Sequence, residues 1–147
     1  MFKQFLSFLI LIMLFSSSIK AEVIKKVVVE GNNRISEETI KVYGDININE
    51  DYSENQINQI LNKLYSTNFF KKIDISLNNN ILKINLEEYP VVNQLILLGE
   101  QNKSYEKEIK KLIRLKEKQS FVESFLTKDI EIIKQLYSSL GYNFAKV

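Results

Sequence analysis

The stretch SENQINQILNKLYSTNFFKKIDISLNNNILKINLEE, residues Ser53 to Glu88, decides the fold because its apolar period changes partway along. Its first half predicts an amphipathic helix, opened by a capping-box pattern at Ser53 and Gln56. The apolar residues of that helix follow one stripe: Ile57, Ile60, Leu61, Leu64 and Tyr65. Its second half alternates apolar and polar residues around the turn Asn78-Asn79-Asn80, which predicts a β-hairpin with one apolar face.

The residues before this stretch supply one more strand and one more helix. Val23 to Glu30 is rich in β-branched residues and stops at the turn Gly31-Asn32-Asn33, which predicts a strand. Ser36 is placed to cap a short helix that ends near Tyr43-Gly44. The predicted order of elements in this unit is therefore β-α-α-β-β. Two helices must cover the single apolar face of a three-stranded sheet, which predicts a two-layer α+β domain over residues 22–89.

The same order of elements recurs downstream. VVVEGNNRIS, Val27 to Ser36, aligns with LILLGEQNKS, Leu95 to Ser104, at an offset of 68 residues. Leu64-Tyr65-Ser66 recurs as Leu136-Tyr137-Ser138 at an offset of 72. Pro90, the only proline, predicts a short, stiff linker between the two units. We therefore predict a second unit of the same α+β type over residues 90–147.

The second unit is expected to contain a strand at Val92 to Leu98, two helices, and the start of another strand at Tyr142 to Val147. The inward-facing residues of its helices are predicted to be Ile109, Leu112 and Ile113 on the first, and Leu126, Ile130, Ile133, Tyr137 and Leu140 on the second, with Gly141 as the stop.

By the offset of 72, Val147 corresponds to Ile75, so the counterparts of residues 76–89 lie beyond the sequence. A missing strand that buries several aliphatic side chains would cost several kcal/mol at about 25 cal/mol per Å². We therefore expect the sequence to be a fragment, whose second unit folds fully only with further residues.

The first 21 residues have the pattern of a secretory signal peptide. Lys3 precedes an uncharged apolar run of eleven residues, Phe5 to Phe15, and a serine cluster then leads to a cleavage site after Ala21. A membrane span needs about 20 apolar residues, so we expect cleavage rather than a permanent anchor. Cleavage also removes Lys3 and Lys20, which leaves 18 basic and 18 acidic residues. The pI of 8.6 therefore does not indicate a nucleic-acid partner.

The composition argues against an enzyme. The sequence has no histidine and no cysteine, so the usual nucleophile, general-base and zinc constellations are missing. Its four glycines are not clustered, so no phosphate-binding loop is predicted. We expect no catalytic residue, no metal and no cofactor. The basic stretch Lys103 to Lys118 is interrupted by glutamates, which favours a solvated helix face over a nucleic-acid or membrane contact.

Three ordered motifs carry a family resemblance. They are Glu30-Gly31-Asn32-Asn33-Arg34-Ile35 after the first strand, Leu64-Tyr65 with Phe69-Phe70, and Glu88-Tyr89-Pro90 at the end of the unit. Looser copies in the second unit are Leu98-Gly99 and Leu136-Tyr137 with Gly141-Tyr142. This set resembles the POTRA modules of outer-membrane assembly proteins of the Omp85 (BamA) family. In the second unit Glu100-Gln101 departs from the asparagine usual after the glycine.

The resemblance implies a periplasmic array of modules at the bacterial outer membrane, ahead of a C-terminal barrel that lies outside this sequence. Such arrays receive unfolded outer-membrane proteins and dock accessory lipoproteins. The proposed mechanism is strand addition, in which an extended client pairs with an exposed sheet edge. In the family that edge is usually the strand after the helices, which here contains Lys71, Lys72, Ile73, Asp74, Ile75, Ser76 and Leu77. The charged residues of this strand also fit a second interpretation, as protection against edge-to-edge aggregation.

Other functions stay open on the sequence alone. A two-partner secretion transporter also carries two such modules, and a division protein carries a related domain behind an uncleaved anchor. A stand-alone periplasmic binding module is the alternative from another class of protein.

Overall fold

The computed structural model describes residues 21–147, so the predicted signal peptide, apart from Ala21, lies outside the described residues. No helix among these residues is long and apolar enough to span a bilayer. The elements in chain order are β1 (Glu22–Val23), β2 (Lys26–Glu30), α1 (Glu37–Gly44), β3 (Asp51–Tyr52), α2 (Glu54–Ser66), β4 (Phe70–Asn78), β5 (Ile81–Glu88), α3 (Lys103–Leu112) and α4 (Glu123–Ser139).

The main sheet has three strands in the order β2-β5-β4. Strand β2 runs parallel to β5, and β4 pairs with β5 as an antiparallel hairpin. The predicted asparagine turn is confirmed. Asn79 and Asn80 have φ values of 52° and 65°, the two positive values that a type I′ hairpin turn requires. Strand β5 is therefore central, and β2 and β4 form the two edges of the sheet.

The apolar face of this sheet packs against α1 and α2, so the predicted two-layer α+β arrangement is confirmed. The predicted start signals of both helices are also confirmed. Ser36 Oγ accepts a hydrogen bond from the Thr39 amide at 3.2 Å, and Gln56 Oε1 accepts one from the Ser53 amide at 2.9 Å. The fully buried side chains at the centre of the core are Ile24, Ile40, Leu64, Phe70, Leu82 and Ile84.

The single strand predicted at Val23 to Glu30 is instead two short strands. Strand β1 pairs with β3, and β2 pairs with β5, so the chain changes partner at Ile24 and Lys25. The Ile24 amide donates to Glu50 O at 3.1 Å, whereas the Lys25 amide donates to Asn80 O at 2.8 Å. The Ile24 side chain is completely buried at this change of direction. Local β propensity cannot show such a change, because it depends on which partner lies on each side.

In the second unit the two helices are confirmed and the two strands are not. Among residues 90–147 the only β pairing is an isolated bridge between Val91 and Ser120, and the backbone of Val92 bonds the same loop at Lys118 and Gln119. In the first unit β2 pairs with β5, and no residue of 90–147 corresponds to β5, so the predicted strand has no counterpart of β5 beside it. The predicted strand at Tyr142 to Val147 is wrong for the same reason.

The predicted inward faces of the second unit's helices are partly wrong as well. Ile109 and Ile113 are buried, but Leu112, Leu126 and Leu140 are each exposed by at least two fifths. Gly141, at φ 90°, does follow the end of α4 as predicted.

The buried residue on α4 is an aspartate, Asp129, which is 3% exposed. Its two carboxylate oxygens accept hydrogen bonds from the backbone amides of Arg114 at 2.7 Å and Leu115 at 2.8 Å. These amides begin the loop that leads from α3 towards α4. Asp129 therefore holds the loop against the helix that follows it, in a position that sequence periodicity would assign to an apolar residue.

We expect the Asp129→Ala variant to lose about 2 kcal/mol from the unfolding free energy of the second unit. The substitution leaves two backbone amides of the loop without their acceptor. Urea unfolding followed by circular dichroism measures the change, with the Glu131→Ala variant as the control, because Glu131 lies on the same helix and is exposed. Equal losses in the two variants would contradict this role of Asp129.

Candidate functional site at the edge of strand β4

All seven residues of the predicted client edge, Lys71 to Leu77, lie on β4. This strand has nine residues, and its only partner within the described part of the chain is β5. Its other side is therefore a free edge of the main sheet. A bulge at Lys71 interrupts the pairing, because Phe70 lies opposite Glu88 while Lys72 lies opposite the adjacent Glu87.

The backbone groups that face away from β5 can be assigned from one hydrogen bond. The Ile73 amide donates to the Tyr65 hydroxyl at 3.1 Å, so it does not point towards β5. In an antiparallel pair the backbone groups alternate between the two sides of the strand. The amides and carbonyls of Ile75 and Leu77 therefore face outward with those of Ile73. Among residues 21–147 no side chain forms a hydrogen bond with the outward groups of Ile75 or Leu77.

The charged residues of β4 lie on the sheet face opposite the helices. Lys71 Nζ contacts Glu87 Oε1 at 2.9 Å, and Lys72 Nζ contacts Asp74 Oδ2 at 3.1 Å. These hydrogen bonds to the carboxylates raise the pKa of both lysines. Both pairs are solvent-exposed and extend from one sheet face, so they leave the outward backbone groups of the strand accessible.

A carboxylate at the end of the hairpin joins two of the sequence motifs. Glu88 Oε1 accepts hydrogen bonds from the backbone amides of Asn33, Arg34 and Ile35 at 2.9 to 3.0 Å. Glu88 Oε2 accepts another from Arg34 Nε at 3.0 Å, and the Glu88 side chain is only 5% exposed. Burial raises the pKa of this carboxyl, but the three amides and the Arg34 charge outweigh it, so the pKa lies below its usual value. The loop after β2 is thereby fixed to the end of β5.

Comparison with known proteins identifies the fold. Residues 90–147 match the family model described as POTRA, surface antigen variable number repeat. The structure superimposes on the N-terminal domain of Omp85 from the cyanobacterium Thermosynechococcus elongatus with a TM-score of 0.57. That match has 21% identity and covers 84% of this chain and 54% of the other. The chain has the POTRA fold.

Two further matches support the POTRA assignment. The chain is 14% identical to POTRA1-2 of the periplasmic domain of Omp85 from Anabaena, with a TM-score of 0.53, covering 88% of this chain and 87% of the other. It is 24% identical over 84 residues to the outer membrane protein assembly factor BamA of Neorickettsia risticii (strain Illinois). That alignment covers 57% of this chain, and the chain spans 11% of the relative's length.

The family motifs now have structural roles in the first POTRA module. The motif at Gly31 to Ile35 and the motif at Glu88 to Pro90 meet through the Glu88 carboxylate and through a bond from Arg34 Nη2 to Tyr89 O at 3.1 Å. Phe70 fills the core at the start of β4. Sequence reasoning identified these residues as motif members but did not predict that Glu88 binds the loop.

Sequence reasoning also missed the position of Tyr65. It was predicted as one residue of the apolar stripe of α2, yet it is 40% exposed. Its hydroxyl reaches past the helix to the outward edge of β4. The only sequence signal was its place at the end of the stripe, where a tyrosine can keep its ring against the core and its hydroxyl outside.

No group of three or more potential metal-ligating carboxylates forms anywhere in residues 21–147. The candidate functional surface is the backbone edge of β4, which pairs on one side only within the described residues.

Proposed function

We propose that this chain is the periplasmic POTRA part of an outer-membrane protein assembly factor and binds unfolded outer-membrane proteins by strand addition at β4. The observation that carries the proposal is the free edge of β4, with the outward backbone groups of Ile75 and Leu77 unpaired by any described side chain. Backbone pairing depends little on the client's side chains, which suits a protein that receives many different clients.

The two edges of the sheet are not equivalent. Strand β4 has nine residues, whereas β2 has five and runs parallel to its partner. A client strand added to β4 can therefore pair along more residues than one added to β2. We therefore assign the client to β4 and leave β2 as an internal control.

The proposed location and partners rest on the likeness to relatives. BamA of Neorickettsia risticii is described as an outer membrane protein assembly factor, and the Anabaena modules belong to a periplasmic domain. This likeness supports the proposal that the chain lies in the periplasm at the outer membrane. Accessory assembly lipoproteins are further proposed partners, and we propose no catalytic role.

A peptide titration tests the proposal. The probe is a capped ten-residue peptide that alternates valine and threonine between terminal lysines, added to the ¹⁵N-labelled protein and followed by amide chemical shifts. The control peptide has two valines replaced by proline, which removes backbone donors. We expect the largest shifts at the amides of Ile75 and Leu77, and much smaller ones in β2. Shifts that centre on β2, or that are equal for both peptides, would contradict strand addition at β4.

A further inference from the structure

The outward edge of β4 is already partly occupied by a side chain of the same module. Tyr65, on the last turns of α2, accepts a hydrogen bond from the Ile73 amide at 3.1 Å. Ile73 is 5% exposed and anchors the strand in the core, whereas Tyr65 is 40% exposed. The hydroxyl therefore occupies the position at which a carbonyl of an added strand would accept.

We propose that Tyr65 is a positioning residue that occupies the first outward donor of the edge and so sets the register of an added strand. The inference rests on the strand-addition function proposed above. An incoming strand pairs first with the outward groups of Ile75 and Leu77. It reaches Ile73 only by displacing the tyrosine hydroxyl.

The hydroxyl is the essential atom, because phenylalanine at this position keeps the ring but offers no acceptor to the amide. In the empty module the tyrosine satisfies a donor that would otherwise be open to a second sheet edge, which reduces edge-to-edge aggregation. During binding the same hydroxyl competes with the client. The competition shortens the paired segment and favours release.

The internal repeat places a tyrosine at the same position of the second unit. Tyr137 is the counterpart of Tyr65 at the offset of 72, and it lies on α4 of the second unit. No strand pairs in that unit, and the Tyr137 hydroxyl donates instead to the Glu100 carboxylate. This hydrogen bond raises the pKa of Tyr137 to about 12. In both units the hydroxyl at this position makes a polar contact with a partner outside its own helix.

Hydrogen exchange of single amides tests the inference in the protein with Tyr65→Phe. The matched control is Tyr43→Phe, because Tyr43 is also about half exposed, at 45%, and its ring packs on Phe69 in the same module. Without peptide, we expect the Ile73 amide to exchange at least tenfold faster in the Tyr65→Phe variant and at the wild-type rate in the control. Thermal unfolding checks that both variants remain folded.

The affinity of the same valine–threonine peptide for wild type and for the Tyr65→Phe variant is the second measurement. We expect the peptide to bind the Tyr65→Phe variant about fivefold more tightly than wild type, since one competing hydrogen bond is removed. In that variant the peptide should restore protection at Ile73. Equal affinities with unchanged Ile73 exchange would overturn the role of Tyr65 while leaving protection at Ile75 and Leu77 intact. If the peptide protected no β4 amide in either protein, strand addition itself would fail, and the role of Tyr65 with it.

Discussion

Replacing Gly31 with alanine is expected to cost about 4 kcal/mol of the unfolding free energy of the first POTRA module. Gly31 has a φ of 84°, and a Cβ atom added there would lie 2.0 Å from the backbone oxygen of Leu86. The left-handed backbone costs an L-residue about 1 to 2 kcal/mol. The overlap with the central strand adds a further cost of about 1 to 3 kcal/mol, because the sheet must move to relieve it.

The chain offers a matched control at the corresponding turn of the second unit. Gly99 has nearly the same backbone angle, φ 88°, but no atom of the described residues lies within 4 Å of its added Cβ. We therefore expect the Gly99→Ala variant to lose only about 1 kcal/mol of unfolding free energy, because only the left-handed backbone is unfavourable for alanine there. Amide exchange at Leu82 and Ile84 reports the first module, and urea unfolding reports the whole chain. Similar losses in the two variants would show that the close approach to Leu86 does not matter.

Replacing Glu88 with alanine is expected to lower the unfolding free energy of the first module by about 3 kcal/mol. The variant removes the acceptor of three backbone amides and the partner of Arg34 at a side chain that is only 5% exposed. The Glu87→Ala variant is the control, because the Glu87 carboxylate is exposed and pairs with Lys71 on the surface. Urea unfolding should show a much smaller loss for Glu87→Ala. Equal losses for the two would contradict the role of Glu88 in joining the loop to the sheet.

The pH dependence of stability gives an independent reading of Glu88. The folded-state pKa of Glu88 lies below the usual value of 4.5. Its contribution to the unfolding free energy is therefore fully present above pH 4.5. The contribution is lost as the pH falls through the lower folded-state pKa, where the unfolded chain binds the proton first. Urea unfolding between about pH 5 and pH 2 should therefore show a steeper loss of stability in wild type than in Glu88→Gln.

The parts of the fold that depend on local pattern were predictable from the sequence. The stripe of α2 up to Leu64, the asparagine turn and the alternation along β4 and β5 each lie within a few residues, and the structure confirms them. The placement of Lys71 to Leu77 on an edge strand followed from a family resemblance, and the sheet order agrees with it. Whether that edge binds a client stays a prediction.

The features that were missed depend on residues far apart in the chain. Glu88 binds a loop 53 to 55 residues away, and Asp129 binds amides 14 and 15 residues away. A single sequence gives no signal for which amides a carboxylate will meet. The strand predicted at Val92 to Leu98 failed for a related reason, since β propensity indicates a strand but does not supply its partner.

The central claim is that a client pairs with β4, and cysteine crosslinking tests it most directly. The chain has no cysteine, so Asp74→Cys and Glu30→Cys each introduce a single thiol. Asp74 on β4 and Glu30 on β2 flank the same residue, Asn85, on the same exposed face, which makes the two sites a matched pair. Each variant is incubated with a urea-unfolded outer-membrane protein that carries one cysteine in a strand segment, and disulfide formation is followed over time. We predict rapid crosslinking at position 74 and little at position 30, with efficiency alternating as the client cysteine is moved along its strand. Equal rates at the two positions, or no alternation, would contradict strand addition at β4.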